Sequence, residues 1–269
     1  MDGRTVLITG ATDGLGRALA ADLAGRGAHV LVHGRDPRRV DEAGREVRAA
    51  GAYVADLASL AQVRRLADEV ARDHDALDVL VSNAGVGTTL PGDGVRMQSA
   101  DGFELRFAVN YLAGFLLTRR LEPLLVAAGP GARIVNVASA GQMPIDFDDV
   151  MLERGYSGTR AYCQSKLAQV MSTFDLAERL RGDGVTANAL HPATYMPTKM
   201  VLAARGSAVS TLEEGVEATA RLAADPALDG VTGRYFNRTR AAKADEQAYD
   251  ADARRRLWEL SERLTGLGS

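Results

Sequence analysis

Tyr162 and Lys166 stand four positions apart in AYCQSK (161–166). Positions i and i+4 share one face of a helix. An ammonium beside a phenol favours the phenolate and lowers a pKa that is ordinarily about 10. A tyrosine placed this way can give and take a proton near neutral pH. The same pair also fits two unrelated surface side chains, so the spacing needs support. TGATDGLGRA (9–18) supplies it, with glycines at 10, 14 and 16. Lacking side chains, they let the backbone approach a pyrophosphate seated on a helix N-terminus. A glycine triplet is weak by itself. Here it follows an apolar run and opens an amphipathic one, which predicts a dinucleotide site built on Gly10, Asp13, Gly14, Leu15 and Gly16. Cys163 is the one cysteine, and no histidine lies near it in sequence, so it reads as an inert buried thiol. The four histidines show no metal-ligand spacing.

These residues need a scaffold, and the hydrophobic pattern describes one. Short apolar runs at 5–10, 29–34, 53–57, 77–85, 132–139, 185–192 and 230–237 read as strands. Amphipathic runs at 14–27, 37–51, 59–74, 101–127, 160–181 and 211–224 read as helices, with Ser59 as an N-cap. Strands that are apolar throughout and alternate with helices imply a parallel sheet covered on both faces. The expected fold class is therefore α/β: a single doubly wound Rossmann domain over 1–269 with about seven parallel strands. The tail at 251–269 reads as a last amphipathic helix with Leu257, Trp258, Leu260 and Leu264 to bury.

The totals exclude several classes. The chain has 269 residues, 46% hydrophobic and 25% charged, with a net charge of −3, so it reads as globular with no basic surplus for nucleic acid. No apolar stretch approaches the ~20 residues of a membrane span, and no signal peptide is evident. A single cysteine rules out an internal disulfide, which makes the cytoplasm the expected location.

The glycine spacing is GxxxGxG, and with it the chain resembles the short-chain dehydrogenase/reductase family. The motifs run in the family's order: TGATDGLG (9–16), DL (56–57), NAG (83–85), VN (109–110), VNVAS (135–139), YCQSK (162–166) and HP (191–192). The 23-residue separation of Ser139 and Tyr162 encloses a long loop at 141–159. That loop and the C-terminal GVTGRYFN and LWELSERL resemble the retinol-dehydrogenase-like branch.

The resemblance implies a hydride transfer between a nicotinamide cofactor and a carbonyl or hydroxyl group. Tyr162 would be the proton donor or acceptor. Lys166 would tune it and hold the nicotinamide ribose. Ser139 would bond the substrate oxygen, and Asn110 would hold a water linking Lys166 to solvent. Asp56 and Leu57 would meet the adenine, and Asn83, Ala84 and Gly85 the adenosine side. Pro192 and Thr194 would lie at the nicotinamide, with Thr198 the alternative to Thr194. The second strand ends in Gly34 and Arg35 where an acidic residue would hold a ribose 2′-hydroxyl. A guanidinium suits a 2′-phosphate, so NADPH/NADP⁺ is the expected cofactor. Asp36, and Asp13 at a position often basic in NADPH-using relatives, keep NADH/NAD⁺ open. Arg38 and Arg39 read as surface charges at a helix start. The expected substrate is a small to medium apolar ketone, aldehyde or alcohol, under a lid near 194–212. Met143, Ile145, Phe147 and Met151 could line its pocket or pack the loop. A homodimer or homotetramer through the two long helices is the expected assembly. The alternatives are a dinucleotide-sensing binding protein and a fold relative that catalyses epimerisation or elimination.

Overall fold

The computed structural model describes residues 1–88 and 95–268. One eight-stranded sheet runs in the order β3-β2-β1-β4-β5-β6-β7-β8. Its strands are β1 (Thr5–Ile8), β2 (His29–Gly34), β3 (Gly51–Val54), β4 (Val79–Ser82), β5 (Arg133–Val137), β6 (Thr186–His191), β7 (Arg234–Asn237) and β8 (Arg240–Ala242). The first seven pair in parallel. β8 pairs antiparallel with β7 through a two-residue turn in which Arg238 takes φ 55°. The sequence pattern missed β8 because its three residues are all exposed and its turn lacks the Gly or Asn that marks such hairpins.

Alternate residues of each strand serve opposite faces. Val6, Ile8, Val30, Val32, Val79 and Val81 pack with α1 (Gly14–Gly25), α2 (Pro37–Val47) and α7 (Leu212–Ala224). Leu7, Leu31, Leu80 and Ile134 face the other layer. That layer holds α3 (Leu60–Asp73), α4 (Ala113–Ala127), α5 (Gly158–Arg179) and α8 (Ala251–Thr265). Ser59 caps α3 as expected, its hydroxyl accepting from Gln62 N at 3.4 Å.

Three expectations shift. The helix expected from 101 starts later: Asp101 and Gly102 form a turn, and a π-helical turn at Phe107–Leu112 leads into α4. The strand expected at 53–57 ends at Val54, since Asp56 closes its own turn by accepting from Ala58 N at 2.9 Å. The 194–212 segment contains α6 (Lys199–Arg205), a short helix capped by Thr198, where the sequence suggested open loop. The Ala- and Leu-rich faces of the two long helices are core. α8 lies across α5, with Trp258 edge-on to Phe115 at 5.0 Å.

Candidate active site

β1 delivers the glycine turn and α1 leaves it. Gly10 has φ +67°, and a Cβ there would sit 2.9 Å from the Ala84 Cα. A Cβ on Gly16 would lie 2.2 Å from the Gly10 carbonyl oxygen. Neither position admits a side chain. The turn therefore exposes backbone N–H groups at the α1 N-terminus, which a helix cannot satisfy internally. The turn is braced from three sides. Asn83 Nδ2 donates to Thr9 O at 2.9 Å and Gly10 O at 3.3 Å, and Thr9 Oγ1 accepts from Asn83 N and Ala84 N. His33, buried on β2, accepts from Gly10 N at 3.3 Å and reaches Ala55 O at 3.1 Å through its other ring nitrogen. Burial lowers His33 to about 4, so the ring is neutral and can be an acceptor on one side and a donor on the other. These observations fit a dinucleotide cradle.

Asp13 caps α1 and binds two cations, Arg39 Nη2 and Lys199 Nζ, each at 2.8 Å. Burial acts to raise the Asp13 carboxyl, but the hydrogen bonds from Lys199, Arg39 and Gly14 N–H outweigh it and hold it near 2. Arg39 also donates to Thr12 O at 3.1 Å. It thus belongs to the glycine turn and is not the surface charge its position suggested. Arg35 and Arg38 are exposed at the end of β2, and their guanidinium groups make no bond among the described residues. The Asp36 carboxylate is spent capping α2, accepting from Arg38 N at 2.9 Å. Asp56 is half-buried and Leu57 buried at the turn after β3.

Tyr162 and Lys166 lie on α5, and Ser139 just past β5. The Tyr162 hydroxyl lies close enough to the Ser139 side chain to feel it, and Ser139 Oγ accepts from Gly141 N at 3.0 Å. Gln142 and Tyr235 fix that turn by donating to the Ser139 carbonyl at 2.8 and 3.0 Å. The expected depression of the tyrosine pKa is not what the structure shows. Burial pushes the phenol up, with only the Ser139 side chain working against it. Lys166 Nζ lies 5.8 Å from the Tyr162 ring centre and donates to Val137 O at 2.9 Å and Gln169 Oε1 at 2.8 Å. Burial brings this ammonium down to about 7. An amine brought down by burial and bonded towards β5 gives the phenolate little support.

Asn110 sits in the π-helical turn. Its Oδ1 accepts from Val86 N at 2.7 Å, and its Nδ2 donates to Val86 O at 3.1 Å and Ser165 Oγ at 2.9 Å. Ser165 in turn donates to Tyr162 O at 2.7 Å. A Cβ on Gly85 would be 3.1 Å from Asn110 Oδ1 and 3.6 Å from Lys166 Nζ, so the NAG turn abuts both. The structure thus gathers Asn83, Ala84, Gly85, Asn110, Ser139, Tyr162 and Lys166 at the carboxyl edge of the sheet.

Pro192 is buried after β6. Thr194 Oγ1 pairs with His191 Nε2 at 3.0 Å, and Thr198 caps α6 with its methyl over Gly14. Both threonines already have partners, and the geometry does not choose between them for a carboxamide. Ser210 Oγ donates to Thr194 O at 2.5 Å and Val209 N to Tyr195 O at 2.9 Å, closing the base of this segment. Ile145, Phe147 and Met151 pack against the core, while Met143 is exposed. Val95, Met97, Met143, Tyr195, Leu202 and Val209 are exposed apolar side chains on the segments that follow β4, β5 and β6. Cys163 is buried with its thiol pushed up by burial, which agrees with an inert role. A groove of about 710 Å³ between α1 and α7 shares none of these residues. The convergence of polar groups, not cavity size, locates the site.

His33, Thr9, Gln142, Gln169 and Tyr235 were not singled out in the sequence. Two carried a local signal: His33 is a polar outlier in an apolar strand, and Gln169 follows Lys166 by three positions. Tyr235 and Gln142 are linked to the site only through tertiary contacts.

A family profile for short chain dehydrogenases matches residues 4–206. Human retinol dehydrogenase 14 is 38% identical over 99% of this chain and 88% of its own length. A putative uncharacterized protein from Mycobacterium paratuberculosis superposes with a TM-score of 0.76 at 32% identity, covering 98% of this chain and 94% of its own. A putative NAD(P) dependent gluconate 5-dehydrogenase from Beutenbergia cavernae, solved with NADP, gives 0.72 at 34% identity over 88% and 95%. No helix among the described residues is long and apolar enough to cross a membrane.

Proposed function

This chain belongs to the short-chain dehydrogenase family, and from that membership we propose an NADPH-dependent reductase of apolar ketones or aldehydes, running as an alcohol dehydrogenase in reverse. Oxidoreduction with a nicotinamide cofactor is the family's chemistry, and the bound cofactor supplies the hydride. The chain's own part is position and proton. Gly10, Gly14, Leu15 and Gly16 would hold the pyrophosphate, Asp56 and Leu57 the adenine, and Lys166, Pro192 and Thr194 the nicotinamide end. The Ser139 and Tyr162 hydroxyls would receive the substrate oxygen between them. Tyr162 would give its proton to that oxygen as negative charge develops, with Ser139 donating a hydrogen bond. A phenol pushed up by burial is protonated at neutral pH, the form the reductive direction needs.

The observation that carries the cofactor choice is the pair of guanidinium groups, Arg35 and Arg38, beside Gly34, which have no partner among the described residues. The carboxylate that would repel a 2′-phosphate, Asp36, is committed to a helix cap. The exposed apolar side chains on the segments after β4, β5 and β6 support an apolar substrate, and the 194–212 segment would be its lid. The single buried Cys163 supports a cytoplasmic setting, testable by fractionation. The homodimer or homotetramer expected from the sequence would need faces of α4 and α5 that α8 covers.

Calorimetric titration with NADPH and NADH tests the cofactor reading. NADPH is expected to bind at least tenfold tighter, and Arg35→Ala to weaken NADPH by about tenfold while sparing NADH. Equal losses for both would remove Arg35 from the phosphate site. Binding of neither cofactor would favour neither reductase nor dinucleotide sensor.

A further inference from the structure

Lys166 is 5% exposed and Gln169 4%. A buried ammonium must find partners for its N–H groups or lose its charge. Lys166 finds two neutral acceptors, the Val137 carbonyl at 2.9 Å and Gln169 Oε1 at 2.8 Å. Two acceptors leave one N–H of the ammonium over, and Nζ lies 3.6 Å from where a Gly85 Cβ would be. We propose that Gln169 is a positioning residue for Lys166, holding its amine against β5 so that one N–H stays directed into the site beside Tyr162. This rests on the reductase reading for its consequence but not for its geometry.

The turn that carries Gln169 is itself anchored. Its backbone carbonyl accepts from Ser172 Oγ at 3.2 Å and Thr173 Oγ1 at 2.6 Å, and Thr173 Oγ1 accepts from Asn136 Nδ2 on β5 at 2.8 Å. The acceptor that grips Lys166 is therefore tied to the strand that leads to Ser139. No carboxylate makes a hydrogen bond or ion pair with Lys166 among the described residues. The titratable groups on the surrounding elements are Tyr162 and Cys163 on α5, Tyr111 on the π-helical turn, His191 on β6, Tyr235 on β7, and Glu246 and Tyr249 on the 3₁₀ turn at Glu246–Tyr249. The charged groups on these elements are Arg133 of β5, paired with Asp229, Asp175 and Glu178 of α5, paired with Arg254 of α8, Arg160 of α5, paired with Asp146, Arg179 of α5, over the Trp258 ring, and the exposed Arg234 of β7. With no opposing charge, the side-chain oxygen of Gln169 is the adjustable part of the lysine's environment. Only three of the 32 basic residues are lysine: Lys166, Lys199 and Lys243. That scarcity makes the test direct.

Isotopically labelled lysine gives three side-chain signals by NMR, assigned with Lys199→Arg and Lys243→Arg. The pH midpoint of the Lys166 signal is read in the free protein and in Gln169→Glu, Gln169→Asn and Gln169→Leu. A carboxylate there should raise the midpoint by about one unit or more, and the leucine should lower it. The asparagine should fall between the leucine and wild type. The pH profile of NADPH-dependent reduction should move with the midpoint, kcat changing more than KM. A midpoint unmoved in Gln169→Glu overturns the positioning role whatever the turnover. If Gln169→Leu does not fold, the glutamate and asparagine variants decide alone. A midpoint that moves as expected in a protein that reduces no carbonyl supports the contact with Lys166 and overturns the reductase reading instead.

Discussion

At the residue scale, the phenol of Tyr162 faces two opposed influences. Burial favours its neutral form, and the Ser139 hydroxyl favours the charged one. Burial wins, so a proton is held at the atom that must release it. Spacing alone pointed to a lysine that lowers this pKa. It could not show that the lysine is itself buried and brought to about 7. Removing the hydroxyl removes the proton without disturbing the cradle. Tyr162→Phe should therefore lose about 10²–10⁴-fold in turnover while binding the cofactor as wild type does. Retained turnover, measured by absorbance of the reduced nicotinamide, would sink the assignment.

At the element scale, the glycine turn is held by more than its glycines. His33 bonds β2 to the turn and to the end of β3, and does so only while neutral. Its folded pKa, about 4, lies below the ordinary 6.5. Between these values the unfolded chain binds more protons, so stability falls as pH drops from 6.5 towards 4. The full loss is about 3 kcal/mol. His191, lowered to about 4 by burial and by Arg238, adds to the same window. Urea unfolding at pH 7.5 and 4.5 should show a smaller pH-dependent loss for His33→Gln than for wild type. An identical loss would mean that the imidazole does not titrate with folding. Strands and helices were legible because their apolar periods are long and regular. The role of His33 was not, because it depends on a bond between residues 23 apart in sequence. Likewise Arg39 looked like a helix-start charge until the fold brought it to Asp13.

At the scale of the whole molecule, the question is what covers α4 and α5. NYLAGFLLTRRLEPLL (110–125) suits either a core or a helix interface, and sequence cannot separate them because both bury the same side chains. The fold separates them with α8. Ser261 pairs with Tyr111 at 2.6 Å, and Trp258 packs on Phe115 with the Arg179 guanidinium 3.8 Å from its ring centre. Arg254 bonds Asp175 and Glu178, each at 2.9 Å, and Arg64 of α3 holds the Thr265 carbonyl at 2.7 Å. A second chain could use these faces only by displacing α8 with all of those contacts. Any association of the intact protein should therefore leave these faces of α4 and α5 under α8. Trp258→Ala should cost about 3–5 kcal/mol, as truncation of a large buried aromatic does. It should also promote self-association as the apolar face is uncovered. A wild-type dimer cross-linked between α4 or α5 of its two chains would show that α8 yields this face to a partner. A dimer cross-linked elsewhere would leave α8 where the packing puts it.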